Sequence, residues 1–186
     1  MKNLIKKILQ KFLAVFPTSK IIFFESKPDL SDNTKPVFDE MVKRGLNEKY
    51  KMVWLVSKKA ENLPNIKNVY YLKTDSRFFR FKMIYYNYFS KALICCNDFL
   101  GTVRNGQTSF YLTHGIPIKS VRSYYNVPEN IDYMILNGEK TIEMSAYEFN
   151  FNPQKTVALG FPRNDVLTAF KKDIMSLFPE NQVEKI

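Results

Sequence analysis

The sequence predicts an α/β domain built on a parallel sheet with helices on both faces. Two observations carry this. Short apolar runs alternate with helical stretches along most of the chain, the order expected of βαβ units. Several of those runs, such as Ile-Ile-Phe-Phe and Ala-Leu-Ile-Cys-Cys, are continuous rather than alternating, as strands buried on both faces require. At 186 residues the chain suits one domain or slightly more, enough to bury a core.

Residues 2–16 open the chain with an amphipathic pattern. Leu4, Ile5, Ile8, Leu9, Phe12, Leu13 and Phe16 recur at helical spacing, opposite Lys2, Lys6, Lys7 and Lys11. Pro17 ends it. Residues 1–19 read as a basic helix at an anionic membrane interface; a helix docked on the domain's own core is the alternative. The domain proper spans 20–170. Lys20 to Glu25 is the first strand, followed by a polar loop to Thr34. A helix over 35–46 follows, with Pro36 in its first turn and Gly45 at its end. Tyr50 to Ser57, with the single tryptophan Trp54, and Asn68 to Leu72 are strands two and three. Residues 75–90 are helical and mix Arg77, Arg80 and Lys82 with many aromatics. Such interleaving suits a nucleic-acid surface, but Phe78, Phe81, Tyr85, Tyr88 and Phe89 share one helical face and are assigned to the core, so no nucleic-acid partner is expected. Strand four runs from Lys91 to Asn97, strand five from Ser109 to Leu112 and strand six from Ile131 to Leu136. A helix over 138–149 and a short strand over 156–159 come next. A last helix is capped by Asn164 or Asp165, and 171–186 are its end and a polar tail.

The net charge of +10 points to an anionic partner. Cys95 and Cys96 are adjacent, point to opposite faces in a strand and read as reduced core residues. With one histidine and no Cys/His spacing, no metal site is predicted; Glu25 and Asp98 read as ordinary loop residues, with divalent-ion ligation as the alternative. No run reaches the ~20 apolar residues that span a bilayer, and no secretory signal is evident. A Walker loop, Gly-x-Gly-x-x-Gly and Gly-x-Ser-x-Gly are all absent from the sequence, and no carboxylate pair suits glycoside hydrolysis.

The sole histidine, His114, follows the fifth strand and precedes Gly115 and Pro117, which force a turn. A titratable imidazole at a strand exit can accept or give a proton near neutral pH; a histidine simply hydrogen-bonded in a loop is the alternative. Parallel sheets bind ligands beyond the carboxyl ends of their strands, and Asn97, Arg104, Lys119, Asn137 and Arg163 are expected on that edge with His114. No acid occurs from Phe99 to Pro128, while Arg104, His114, Lys119 and Arg122 do, a one-sign stretch suited to phosphate.

Thr113-His114-Gly115-Ile116-Pro117-Ile118-Lys119, followed by Gly160-Phe161-Pro162-Arg163-Asn164-Asp165-Val166-Leu167, resembles the CDP-glycerol glycerophosphotransferases of teichoic acid and capsule synthesis. Arg104-Asn105-Gly106-Gln107 and Asp32-Asn33-Thr34-Lys35 fit the same pattern, over about residues 20–170. The resemblance implies the acceptor-side, N-terminal half of a GT-B-like transferase, peripheral on the cytoplasmic membrane face. It implies transfer of glycerol phosphate from CDP-glycerol to a lipid-linked glycan acceptor, with His114 as base. Arg104, Gly115, Lys119, Arg122, Arg163, Asn164 and Asp165 would bind substrate. Thr113 stands where many members carry Trp. The nucleotide-binding second half is expected to lie outside these residues, and the chain alone is expected to be inactive. A non-catalytic membrane- or phosphoglycan-binding module and a half-transferase using a nucleotide sugar are the alternatives.

Overall fold

A computed structural model describes residues 15–165 and Leu167. The sheet has seven strands: β1 (Ile21–Glu25), β2 (Lys51–Val56), β3 (Val69–Lys73), β4 (Ala92–Cys95), β5 (Thr108–Tyr111), β6 (Tyr133–Leu136) and β7 (Thr156–Ala158). Every pairing is parallel, and the order is β3-β2-β1-β4-β5-β6-β7. Order reverses at β1, the switch point where doubly wound sheets open a crevice. Phe23 is in register with Val53 on one side and Leu93 on the other, which explains why β1 is buried throughout.

Side chains of successive strand residues take opposite faces, and two cores result. Ile22, Phe24, Met52, Trp54, Ile94 and Leu112 form one, closed by Phe38 of α1 (Thr34–Lys43). There Phe24 stacks on Trp54 at 5.3 Å, and Phe38 meets both rings edge-on at 5.5 Å. Ile21, Phe23, Val53, Leu93, Tyr111, Met134 and Leu136 form the other. Phe79, Met83 and Tyr86 of α2 (Phe79–Phe89) and Ile142 of α3 (Ile142–Glu148) pack against it. The predicted layering is therefore present.

Two expectations change. The helix expected from residue 75 begins at Phe79, after Phe78 with φ 61°. Its core face is also different: Phe78, Phe81 and Tyr85 are exposed at 59%, 72% and 47%, and of the five aromatics assigned to the core Tyr88 is the one fully buried. The helix is aromatic on both sides, and Phe79, Met83 and Tyr86 took the inner one. Of the amphipathic helix expected over 2–16, residues 2–14 lie outside the described residues, as does the last helix beyond Asp165 except for Leu167; Val15 and Phe16 are in a turn and exposed. No helix among the described residues is long and apolar enough to cross a membrane.

Candidate active site

In a parallel sheet the loops leaving β1, β4, β5, β6 and β7 share one edge. His114 is there, exposed, two residues past Leu112. The peptide before it is held from two directions. Thr113 is fully buried, has φ 21°, and donates from Oγ1 to the carbonyl of Ile135 at 2.9 Å. A β-branched residue at positive φ is strained, so this turn persists because its neighbours hold it. The chief holder is Asn33, also fully buried. Its Nδ2 donates to the carbonyls of Leu112 (3.1 Å) and Thr113 (2.5 Å), and its Oδ1 accepts the N–H of Arg163 at 3.1 Å. Asp32 accepts the Arg163 guanidinium at 2.7 Å. The Asp-Asn pair, the His-Gly turn and the Gly-Phe-Pro-Arg-Asn-Asp turn thus meet at one point, though they lie far apart in sequence.

The imidazole is oriented from the β4 side. His114 Nδ1 lies 3.3 Å from the carbonyl of Cys96. A carbonyl only accepts, so this contact is a hydrogen bond in the tautomer that carries its proton on Nδ1, which leaves the lone pair on Nε2. Cys96 itself is buried, its thiol pushed up to about 12 by burial and by Asp32; it is no nucleophile at neutral pH. Both cysteines are free.

The other predicted residues divide. Gly115 adjoins His114, and Lys119 is exposed further along the same loop, after the fully exposed Ile118. Arg163 is brought to the site by Asp32 and Asn33, with Asn164 and Asp165 exposed beside it. Asn97 and Asn137 are at this edge, engaged with the Lys27 N–H and the Thr141 hydroxyl. Arg104 is not at this edge. The β4–β5 connection has no helix, so its loop traverses the sheet and Arg104 lies just before β5, at the amino ends of the strands. Its guanidinium donates to the carbonyl of Phe16 and lies 5.2 Å from the Tyr88 ring. Arg122 is drawn to the end of α3, donating to the carbonyl of Tyr147 at 2.5 Å and lying 4.1 Å over its ring.

Two residues at the site were given no role in it by the sequence reading. Asn33 sits at the helix-start position of α1 yet makes no side-chain cap; an Asp-Asn pair opening a helix is the signal it leaves in the sequence. Glu25 ends an apolar strand, is 1% exposed, and accepts at Oε2 the N–H groups of Cys96 (3.2 Å), Asn97 (3.0 Å) and Asp98 (2.9 Å). Burial raises its carboxyl above the ordinary carboxylate range, against the pull of these donors. Asp98 pairs with Lys27 at 2.6 Å. Among the described residues no cluster of His, Cys, Asp and Glu forms a metal site.

The fold has counterparts among known structures. The chain is similar to the wall teichoic acid polymerase TagF, with 18% identity and a TM-score of 0.66 over 92% of this chain and 47% of that one. A histidine-to-alanine variant of TagF gives 19% identity and 0.66 over 91% and 48%. The chain spans about half the length of these structures, and at this identity the likeness establishes the fold. No curated protein sequence matches the chain. Residues 8–182 match the profile of the CDP-glycerol:poly(glycerophosphate) glycerophosphotransferases, a span that includes every motif gathered around His114, and the chain belongs to that family.

Proposed function

We propose that this chain is the acceptor-side half of an enzyme that transfers glycerol phosphate, or a related polyol phosphate, from CDP-glycerol to a lipid-linked glycan in teichoic acid synthesis. The observation that carries the reading is the exposed His114 ring, whose Nδ1 lies 3.3 Å from the Cys96 carbonyl, so that with the proton on Nδ1 the lone pair is on Nε2. Nε2 takes the proton from the acceptor hydroxyl as that oxygen bonds to phosphorus; the bond from phosphorus to the CMP oxygen breaks and CMP departs. Arg163, tied to the same turn through Asn33, and Lys119, further along the His114 loop, offset the charge of the transferring phosphoryl group. CDP-glycerol enters as donor substrate from a second, nucleotide-binding half. Family membership and the geometry of the turn support this reading.

The test is CMP release from CDP-glycerol, in the presence of a lipid-linked acceptor, by this chain joined to its nucleotide-binding half. Loss of a general base typically costs about 10²–10⁴-fold, so His114→Ala is expected to fall into that range. Release within twofold of the parent overturns the assignment of the base.

A peripheral position on the inner, anionic membrane face belongs to the same proposal. Besides the lysines near the N-terminus, α2 supports it. Phe81, Ile84 and Tyr85 are exposed beside Arg80 and Lys82, and no acid occurs between Asp75 and Asp98. Exposed rings among cations suit an anionic interface. Sedimentation with vesicles rich in anionic lipid is expected, and is expected to weaken in Phe81→Glu. Equal sedimentation of parent and variant removes α2 from the membrane surface.

A further inference from the structure

Glu25 lies at the switch point between β1 and β4, buried. Three successive N–H groups converge on one of its oxygens. Successive backbone donors of this kind form an anion site, and at the switch point of a doubly wound sheet such a site commonly receives a ligand. Here the chain's own carboxylate fills it. The other oxygen, Oε1, is buried without a hydrogen-bond partner, an expensive arrangement for a mere filler. An apolar residue at this position would have spared the chain that cost, but would have left three amides of the β4 exit loop without an acceptor.

What this loop presents is the Cys96 carbonyl. The N–H of Cys96 is the first of the three Glu25 donors, and the carbonyl of the same residue lies 3.3 Å from Nδ1 of His114. Carboxylate, loop and imidazole are therefore joined through one residue. We propose that Glu25 is a positioning residue: by clamping residues 96–98 it aims the Cys96 carbonyl at His114 and so fixes the ring as the Nδ1–H tautomer, with Nε2 free for the acceptor hydroxyl. This rests on the reading of His114 as base, but the tautomer is measurable without any activity.

The chain has a single histidine, so histidine-selective ¹⁵N labelling yields one imidazole, whose long-range ¹H–¹⁵N pattern distinguishes the neutral tautomers. The parent is expected to show Nδ1–H. Glu25→Ala is expected to move the ring toward Nε2–H and, in the joined enzyme, to lower CMP release by roughly a hundredfold, the scale of a small misplacement. Glu25→Gln retains an oxygen for the three amides and is expected to keep the parent tautomer. Loss of stability alone would not change the tautomer. A parent that shows Nε2–H overturns the inference at once, as does a folded Glu25→Ala with unchanged Nδ1–H. If Glu25→Ala does not fold, Glu25→Asp, shorter by one methylene, is judged by the same criterion. Failure of the two readings is distinguishable. Wild-type release by His114→Ala removes the base and leaves the tautomer result standing; an inactive His114→Ala with an unmoved tautomer in Glu25→Ala removes only the role of Glu25.

Discussion

Replacing Asn33 tests whether one buried amide assembles the site. Asn33→Ala removes three hydrogen bonds, to the carbonyls of Leu112 and Thr113 and from the N–H of Arg163. Each contributes about 1 kcal/mol net, and the site is fully buried, so water does not readily replace the amide. The sum is about 3 kcal/mol, or roughly 6–12 °C in Tm for a chain of this size. Thermal unfolding followed by circular dichroism measures it. Asn33→Asp sharpens the test because it is nearly isosteric. Its carboxylate can still accept from Arg163, but sets a negative oxygen against two carbonyl oxygens. The folded-state pKa of that aspartate is then raised. A raised pKa confers stability that is present at low pH and is lost as pH rises through the raised value. Asn33→Asp should therefore approach the parent in acid and fall away toward neutrality. A shift in Asn33→Ala below about 0.5 kcal/mol, the scale of an ordinary surface change, would refute the reasoning. So would an Asn33→Asp variant whose stability tracks the parent's at every pH.

Other outcomes follow from the same structure. Phe38→Ala opens a void beside Phe24 and Trp54 and should cost about 3–5 kcal/mol, with a red shift in emission from the single tryptophan; unshifted emission and stability would contradict the packing. The Glu148 carboxylate accepts from the Val121 N–H (2.8 Å), the Ser120 hydroxyl (2.9 Å) and the Arg122 N–H (3.3 Å), and these hold its pKa below the ordinary carboxylate value. A lowered pKa adds stability above the ordinary value that is lost as pH falls through the lowered one. Glu148→Gln should thus flatten the acid limb of the stability profile, and an unchanged limb would remove Glu148 as its source.

The sheet was legible because strands buried on both faces must be apolar throughout, and β1 and β4 are written that way. His114 was legible because it is the only histidine and ends such a strand. The partners that orient it were not. Asn33 and Glu25 act on backbone groups 70 to 80 residues away, and a backbone carbonyl or amide leaves no mark in the sequence. Arg104 was misplaced for a topological reason: with no helix between β4 and β5, the loop alone spans the height of the sheet and carries Arg104 to the far edge. On α2 the aromatics recur on two faces, and periodicity does not say which faces inward. There the choice fell to Phe79, Met83 and Tyr86, which meet Phe23 and its neighbours.

The strand order has a consequence for synthesis. From β1 the sheet extends in sequence order on both sides, β2 and β3 one way and β4 to β7 the other. The closest aromatic neighbours of Trp54, Phe24 and Phe38, precede it in the chain, so this part of the core can close while the rest is still being made. During that interval one edge of β1 stays unpaired until β4 emerges, and an open apolar edge is where a nascent chain mispairs. Once β4 docks, each later strand adds beside the one made just before it, and the loops that carry Cys96, His114 and Arg163 come together last.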